Sequence, residues 1–232
     1  PFQDNLKKIK NTNLIGTINL LNVCEKVGFK KFINTGSSSE YGFKNKAMKE
    51  TDILEPNSYY GLFKSAATLY CNYKAISKNL PIVNVRPFHV YGPYEEQTRF
   101  VPTLIINLLK NKCPPLVSPD ISRDLIYIDD VVNFYILLAI KKNLNGEIYN
   151  LGSGKKITIR EIFYKTKKLL NSKISPSWET MENLKFEQNI WYADMRKAKK
   201  NLNFNFQNSL NEGLRKSILW FKQNINLYKN FK

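Results

Sequence analysis

The sequence predicts an α/β fold in which a parallel sheet carries helices on its faces. Three observations predict it. Residues 13–78 alternate helical and strand patterns, each strand run is short and apolar, and 43% of the 232 residues are hydrophobic with 13% aromatic. A chain of that length buries a full core and suits one α/β domain, or one domain with a cap.

Taking the elements in order, NLIGTINLLNVCEKV (13–27) places Leu14, Ile18, Leu21 and Val23 at helical spacing and is closed by Gly28. KKFINTGS reads as a short buried strand entering a loop, Ser58 to Lys78 as a second helix, and PIVNVRPF as a β-rich run. After Tyr91-Gly92-Pro93 the pattern changes. Phe100 to Lys110 reads as a helix, and Cys113-Pro-Pro breaks it. DLIYIDD reads as a strand feeding a helix whose N-terminus Asp129 and Asp130 can serve by capping and dipole. EIYNLGSG is a further strand and turn, Thr158 caps the next helix, and Leu214, Ile218 and Phe221 share one face of a last helix starting at Ser209.

The formal charge of +17 raises the question of nucleic acid. Lysines come in scattered pairs (Lys7-Lys8, Lys30-Lys31, Lys141-Lys142, Lys155-Lys156, Lys167-Lys168), and Asn and Ile are also abundant, so composition bias explains the charge without a polyanionic partner. The positive field still favours an anionic substrate such as a nucleotide diphosphate. No apolar run is long enough for a membrane-spanning helix, and the opening PFQDNLKKIK has no apolar signal core. Cys24, Cys71 and Cys113 lack CxxC spacing, which reads as reduced cytoplasmic thiols; with His89 the one histidine, no metal site is expected.

Two stretches carry chemistry: NTGSSSEYG (34–42) and NSYYGLFK (57–64). On a helix Tyr60 and Lys64, four apart, share a face. A nearby ammonium lowers a phenol's pKa and makes it a usable base, while serine hydroxyls at a strand's C-terminal end stand where open α/β sheets bind ligands. Such a set can move a sugar hydroxyl proton while a nicotinamide takes hydride. Alone, the Tyr–Lys spacing recurs by chance in many helices.

Seven segments in order extend the pattern. NLIGTINLL, FINTGSSSEYG, PNSYYGLFK, RPFHVYGPYE, SRDLIYIDDV, EIYNLGSG and WYADMRKAKKNLNF together resemble the extended short-chain dehydrogenase/reductase family of nucleotide-sugar epimerases, dehydratases and 4-ketoreductases. The resemblance implies a partial Rossmann-type parallel sheet, residues 1–92 and 120–150, with a small α/β substrate-binding cap, 93–119 and 151–232. It implies Ser37, Tyr60 and Lys64 as catalytic residues. It also implies Asn13, Tyr60, Lys64 and Pro87 at an NAD or NADP cofactor, and Ser38, His89, Arg123 and Lys185 at a nucleotide-diphosphate sugar. For Arg123 the alternative is a surface ion pair with Asp124, and for His89 a packed strand-end histidine in place of the family's usual asparagine. The resemblance further implies a homodimer through the helices of 13–27 and 58–78.

Where dehydratases of this family carry an Asp-Glu pair after the catalytic hydroxyl, this chain has Ser38 and Ser39, with Glu40 one place later. Dehydration is therefore disfavoured against 4-epimerisation or 4-keto reduction; a non-catalytic nucleotide-binding module is the alternative. None of the ten glycines forms GxxGxxG or GxGxxG. By motif order about two βαβ units of roughly 30 residues, with the pyrophosphate loop, would precede Pro1. The expectation is an N-terminally truncated sequence with weak or no dinucleotide binding and an exposed sheet edge, and calorimetric titration with NAD tests it.

Overall fold

A computed structural model describes residues 5–181 and 190–228. The first helical run joins α1 (Leu6–Lys10), a π-helical turn (Asn11–Ile15) and α2 (Gly16–Val27). It thus begins upstream of the periodic apolar residues that announce it. Gly28, at φ 81°, ends it, and β1 (Phe32–Thr35) follows. α3 (Tyr59–Lys78) is capped by Ser58, whose Oγ accepts from the Gly61 amide at 3.1 Å, and stops at left-handed Asn79. β2 (Ile82–Pro87) and β6 (Glu147–Leu151) complete a parallel sheet of order β1-β2-β6. Register runs Phe32 to Ile82, and Pro87 to Leu151.

The expected single strand at DLIYIDD is divided. β4 (Ser122–Arg123) pairs antiparallel with β7 (Ile157–Thr158), and β5 (Leu125–Tyr127) pairs parallel with β3 (His89–Tyr91). The division falls at Asp124, whose fully buried carboxylate is engaged elsewhere. α5 (Ile128–Ile140) follows without a side-chain cap. Asp129 and Asp130 lie in its first turn, where they complement the dipole, but Asp130 reaches across to accept from the Gln207 and Asn208 amides rather than capping.

The remaining helices are α4 (Phe100–Leu109), α6 (Ile159–Leu170), α7 (Arg196–Leu202) and α8 (Leu210–Gln223). Thr158 and Ser209 build capping boxes with Glu161 and Glu212. One core lies on the sheet and gathers Val83, Val85, Phe134 and Tyr149 with Trp191, Ala198 and Phe204, so α7 packs on the sheet side. A second joins α4, α6 and α8, burying Leu104, Phe163, Leu214, Ile218 and Phe221. Leu21, Cys71 and Ala75 form a third between α2 and α3. Among the described residues no helix is long and apolar enough to cross a membrane, and no His, Cys, Asp and Glu cluster is arranged to hold a metal.

Candidate active site

The carboxyl ends of β1 and β2 face the N-terminus of α3, and side chains from all three converge there. β1 ends in Thr35-Gly36, and Ser38–Glu40 forms a single 3₁₀ turn capped by Ser37. Ser37 Oγ accepts from the Ser39 amide at 3.1 Å, while Glu40 Oε1 accepts from the Ser37 amide at 2.9 Å. Two capping bonds thus fix one short turn. Gly61 lets α3 reach this turn: a Cβ there would lie 2.5 Å from the Ser39 carbonyl oxygen. The glycine of YYGLFK is therefore a packing requirement between helix and loop.

Tyr60 lies near Ser37, and the serine hydroxyl acts to lower its pKa. With the Ser39 N–H already donating to Ser37 Oγ, the serine hydroxyl hydrogen is available to the phenol oxygen. Donation in that direction stabilises the phenolate. Burial nevertheless outweighs it. The Tyr60 pKa is raised above its ordinary value, with burial the largest cause, Ser37 and the Arg99 charge opposing, and the Glu40 charge adding to the rise.

Lys64, one turn on, donates from Nζ to the Thr35 carbonyl at 2.9 Å and stands 5.8 Å from the Tyr60 ring centroid. Burial lowers its pKa. The sequence-based expectation was that Lys64 draws the phenol's pKa down. One of the three ammonium N–H groups is directed at the strand-end carbonyl, the charge stays one turn from the phenol, and Ser37 and Arg99 act to lower the Tyr60 pKa.

His89 and Arg123 lie on adjoining short strands, linked by the His89 amide donating to the Asp124 carbonyl at 3.0 Å. Burial, with Arg123 and Arg99 nearby, pushes the imidazole down to about 3, so it is neutral at physiological pH. Its Nδ1 is enclosed without a protein partner, which leaves a polar atom open to a ligand. Arg123 is buried and donates from Nη1 to the Ser122 carbonyl at 2.9 Å. The alternative of a surface ion pair with Asp124 does not hold. The Asp124 carboxylate instead accepts from the Ser153 amide and hydroxyl and from the Gly154 and Ala193 amides, at 2.5–3.0 Å. It ties the strand bearing Arg123 to the GSG turn and to residue 193.

The other predicted positions are less central. Ser38 is buried, and its hydroxyl accepts from Trp191 Nε1 at 2.9 Å. Asn13 sits in the π-helical turn packed on α3 and donates to its own helix at the Ile9 carbonyl. Pro87 ends β2 beside Leu151. Lys185 lies outside the described residues.

Sequence reasoning passed over Arg99 and Arg86, considered Asp124 only as a surface partner of Arg123, and gave Glu40 no partner. Arg99 precedes α4, and its charge is felt at Tyr60, His89 and Glu95. No local spacing marks it, because the loop from 93 to 99 brings it back over the site. For Arg86 the available signal was the RPF at the end of β2, where an arginine follows the buried residues Ile82–Val85.

The sequence model of the NAD dependent epimerase/dehydratase family matches residues 3–152, and the chain belongs to that family. It is 32% identical over 225 residues to UDP-glucuronate 4-epimerase of Thermodesulfobacterium geofontis, covering 96% of this chain and 68% of that protein. It is 26% identical to human dTDP-D-glucose 4,6-dehydratase, covering 94% of this chain and 64% of the relative. Among solved structures, UDP-glucuronic acid 4-epimerase from Bacillus cereus with UDP-glucuronic acid and NAD superposes with TM-score 0.85 at 28% identity, over 91% of this chain and 67% of that one. UDP-glucose 4-epimerase from Thermotoga maritima with UDP-glucose gives 0.87 at 26% identity, over 96% and 73%. The chain thus spans about two thirds of the length of these relatives.

Proposed function

We propose that this chain carries the proton-transfer and sugar-binding part of a nicotinamide-dependent nucleotide-sugar 4-epimerase, with 4-keto reduction as the related activity. The observation that carries the reading is the gathering of Ser37, the Tyr60 phenol and Lys64 at the carboxyl end of β1, where Lys64 Nζ donates to the Thr35 carbonyl at 2.9 Å and stands 5.8 Å from the Tyr60 ring centroid. Ser37 holds the phenol oxygen and the reacting sugar hydroxyl. Tyr60 takes that proton and returns it, and the Lys64 cation supports the phenolate. NAD, when bound, supplies the hydride acceptor and donor; Tyr60 and Lys64 would hold its nicotinamide ribose, with Pro87 and Asn13 beside it. Arg123, His89, Ser38 and Lys185 would receive the nucleotide sugar. The planar donor fork of Arg123 suits a diphosphate, and the open Nδ1 of His89 suits a sugar or phosphate oxygen.

Dehydration is the second reading, because 4,6-dehydratases are among the relatives. Ser38 and Ser39 offer no acid–base pair for water loss, which favours epimerisation.

A homodimer through α2 and α3 belongs to the same reading. Leu62, Leu69, Tyr73 and Ile76 form an exposed stripe on α3, and Leu20, Val23 and Val27 one on α2. Light scattering should give a dimer, and Ile76→Glu a monomer. Three unpaired cysteines fit a cytoplasmic home.

The deciding experiment gives the protein a panel of nucleotide sugars with NAD in large excess, to offset the weak dinucleotide binding expected from the sequence, and follows products by mass spectrometry and proton NMR. C4-epimerised sugar is expected, with Tyr60→Phe slower by about 10²–10⁴-fold. Full turnover in that variant would end the reading.

A further inference from the structure

Beneath the serine turn lies a buried ion pair that the chemistry above does not use. Glu40 is fully buried and Arg86, the penultimate residue of β2, is 2% exposed. Arg86 Nε donates to Glu40 Oε2 at 2.8 Å; Glu40 Oε1 accepts from the Ser37 amide and from Thr68 Oγ1 on α3, each at 2.9 Å. The guanidinium also donates to the Tyr41 hydroxyl at 3.0 Å and stands over its ring at 4.7 Å. Tyr41 in turn donates to Asn150 Oδ1 on β6 at 2.6 Å. A Cβ on Gly36 would come within 2.3 Å of Glu40 Oε1, so the strand end closes directly over the carboxylate. One carboxylate thus joins β2, α3 and the backbone of Ser37.

Burying two charges is costly, and apolar residues of similar volume often serve stability as well or better. A pair kept in such a place needs another explanation, and here its free oxygen is spent on the amide of the residue that meets Tyr60. We propose that Glu40, held by Arg86, is a positioning residue that orients Ser37 toward the Tyr60 phenol. The inference rests on the reading of Ser37 and Tyr60 as the reacting pair. In Glu40→Gln the side chain keeps one acceptor oxygen in place of two; with that oxygen turned toward the buried Arg86 guanidinium, it sets its NH2 against the Ser37 amide, so the 3₁₀ turn relaxes and the influence of Ser37 on Tyr60 weakens, while Arg123 and the sugar-binding side stay as they are.

The experiment compares Glu40→Gln, Ser37→Ala and a control, Glu50→Gln, in protein carrying ¹³Cζ-tyrosine, with Tyr60→Phe to assign the signal. Glu50 is a suitable control because it is a partly buried carboxylate of the same core that accepts from the Asn150 amide. Removing a negative charge near Tyr60 would by itself lower the phenol's titration midpoint. If Glu40 positions Ser37, the midpoint instead rises in Glu40→Gln, in the direction set by Ser37→Ala, by about half a pH unit, and Glu50→Gln leaves it in place. Turnover of the sugar falls at least about tenfold with KM within about twofold. A midpoint that falls or stays put in Glu40→Gln overturns the inference, as does a loss carried by KM. A midpoint unmoved in Ser37→Ala would instead sink the reading of the site itself. If Glu40→Gln does not fold, Thr68→Val removes one of the donors that fix the carboxylate and must move the midpoint the same way by a smaller amount; no movement overturns the inference.

Discussion

The two sides of the site are each anchored by a fully buried carboxylate, and they are satisfied in different ways. Under the serine turn Glu40 faces a buried cation, Arg86, and two further donors. Under the sugar-binding side Asp124 faces amides and a hydroxyl only. Burial raises both carboxyl pKa values, with Arg86 the main opposing influence at Glu40 and the Ser153 hydroxyl and amides at Asp124. The difference shows what each anchor can lose. A charge pair fails as a unit, because either partner alone becomes an uncompensated buried ion. A carboxylate held by several dipoles loses them one at a time.

The largest break in this comparison is Arg86→Met. It strands the Glu40 carboxylate and should cost about 3–5 kcal/mol in denaturant unfolding; a loss under about 1 kcal/mol would show that the pair is as solvated as a surface one. Asp124→Asn should cost less, about 1–3 kcal/mol, since the amide keeps one acceptor and loses the rest. Its functional mark differs too: weaker nucleotide-sugar binding, read by calorimetry, because the strand carrying Arg123 is released from the GSG turn.

A third carboxylate sharpens the contrast through pH. Burial pushes Glu95 up to about 8, Arg99 opposing, and its Oε2 is enclosed without a partner. Its folded pKa lies above the ordinary value of 4.5, so the folded state holds the proton more tightly and that stability is lost as pH rises from 4.5 to about 8. His89 runs the other way: with a folded pKa of about 3, it costs stability only as pH falls below 6.5. Between pH 6.5 and 8 Glu95 acts without His89. The melting temperature should therefore decline across that window and decline less in Glu95→Gln; parallel curves would refute the assignment. The smallest effect belongs to a solvated pair. Lys216 and Asp129, both half-exposed at 3.0 Å, should contribute under about 0.5 kcal/mol in a double-mutant cycle.

Much of this was legible before any coordinates. The period of the apolar residues placed α3, β1, β2 and α8, and Ser58, Thr158 and Ser209 marked helix starts through a capping chemistry that acts over three residues. Tyr60 and Lys64 were readable for the same reason, since i and i+4 on a helix are neighbours by geometry alone. The failures are all long-range. DLIYIDD read as one strand because hydrophobic runs do not report that Asp124 will be withdrawn to meet residues 153, 154 and 193. Asp130 read as a cap, yet its partners stand 77 and 78 residues away.

The sequence by itself determined where helices and strands begin, which residues enter the core, and that a serine, a tyrosine and a lysine would share one end of a parallel sheet; these depend on periods of two and 3.6 and on caps spanning a few residues. Only the tertiary structure decided which charges meet. Glu40 and Arg86, 46 positions apart, are brought together by strand pairing, and the loop after β3 brings the Arg99 charge near enough to act on Tyr60. The energy of such pairs depends on burial and distance, and neither is written in the order of the residues.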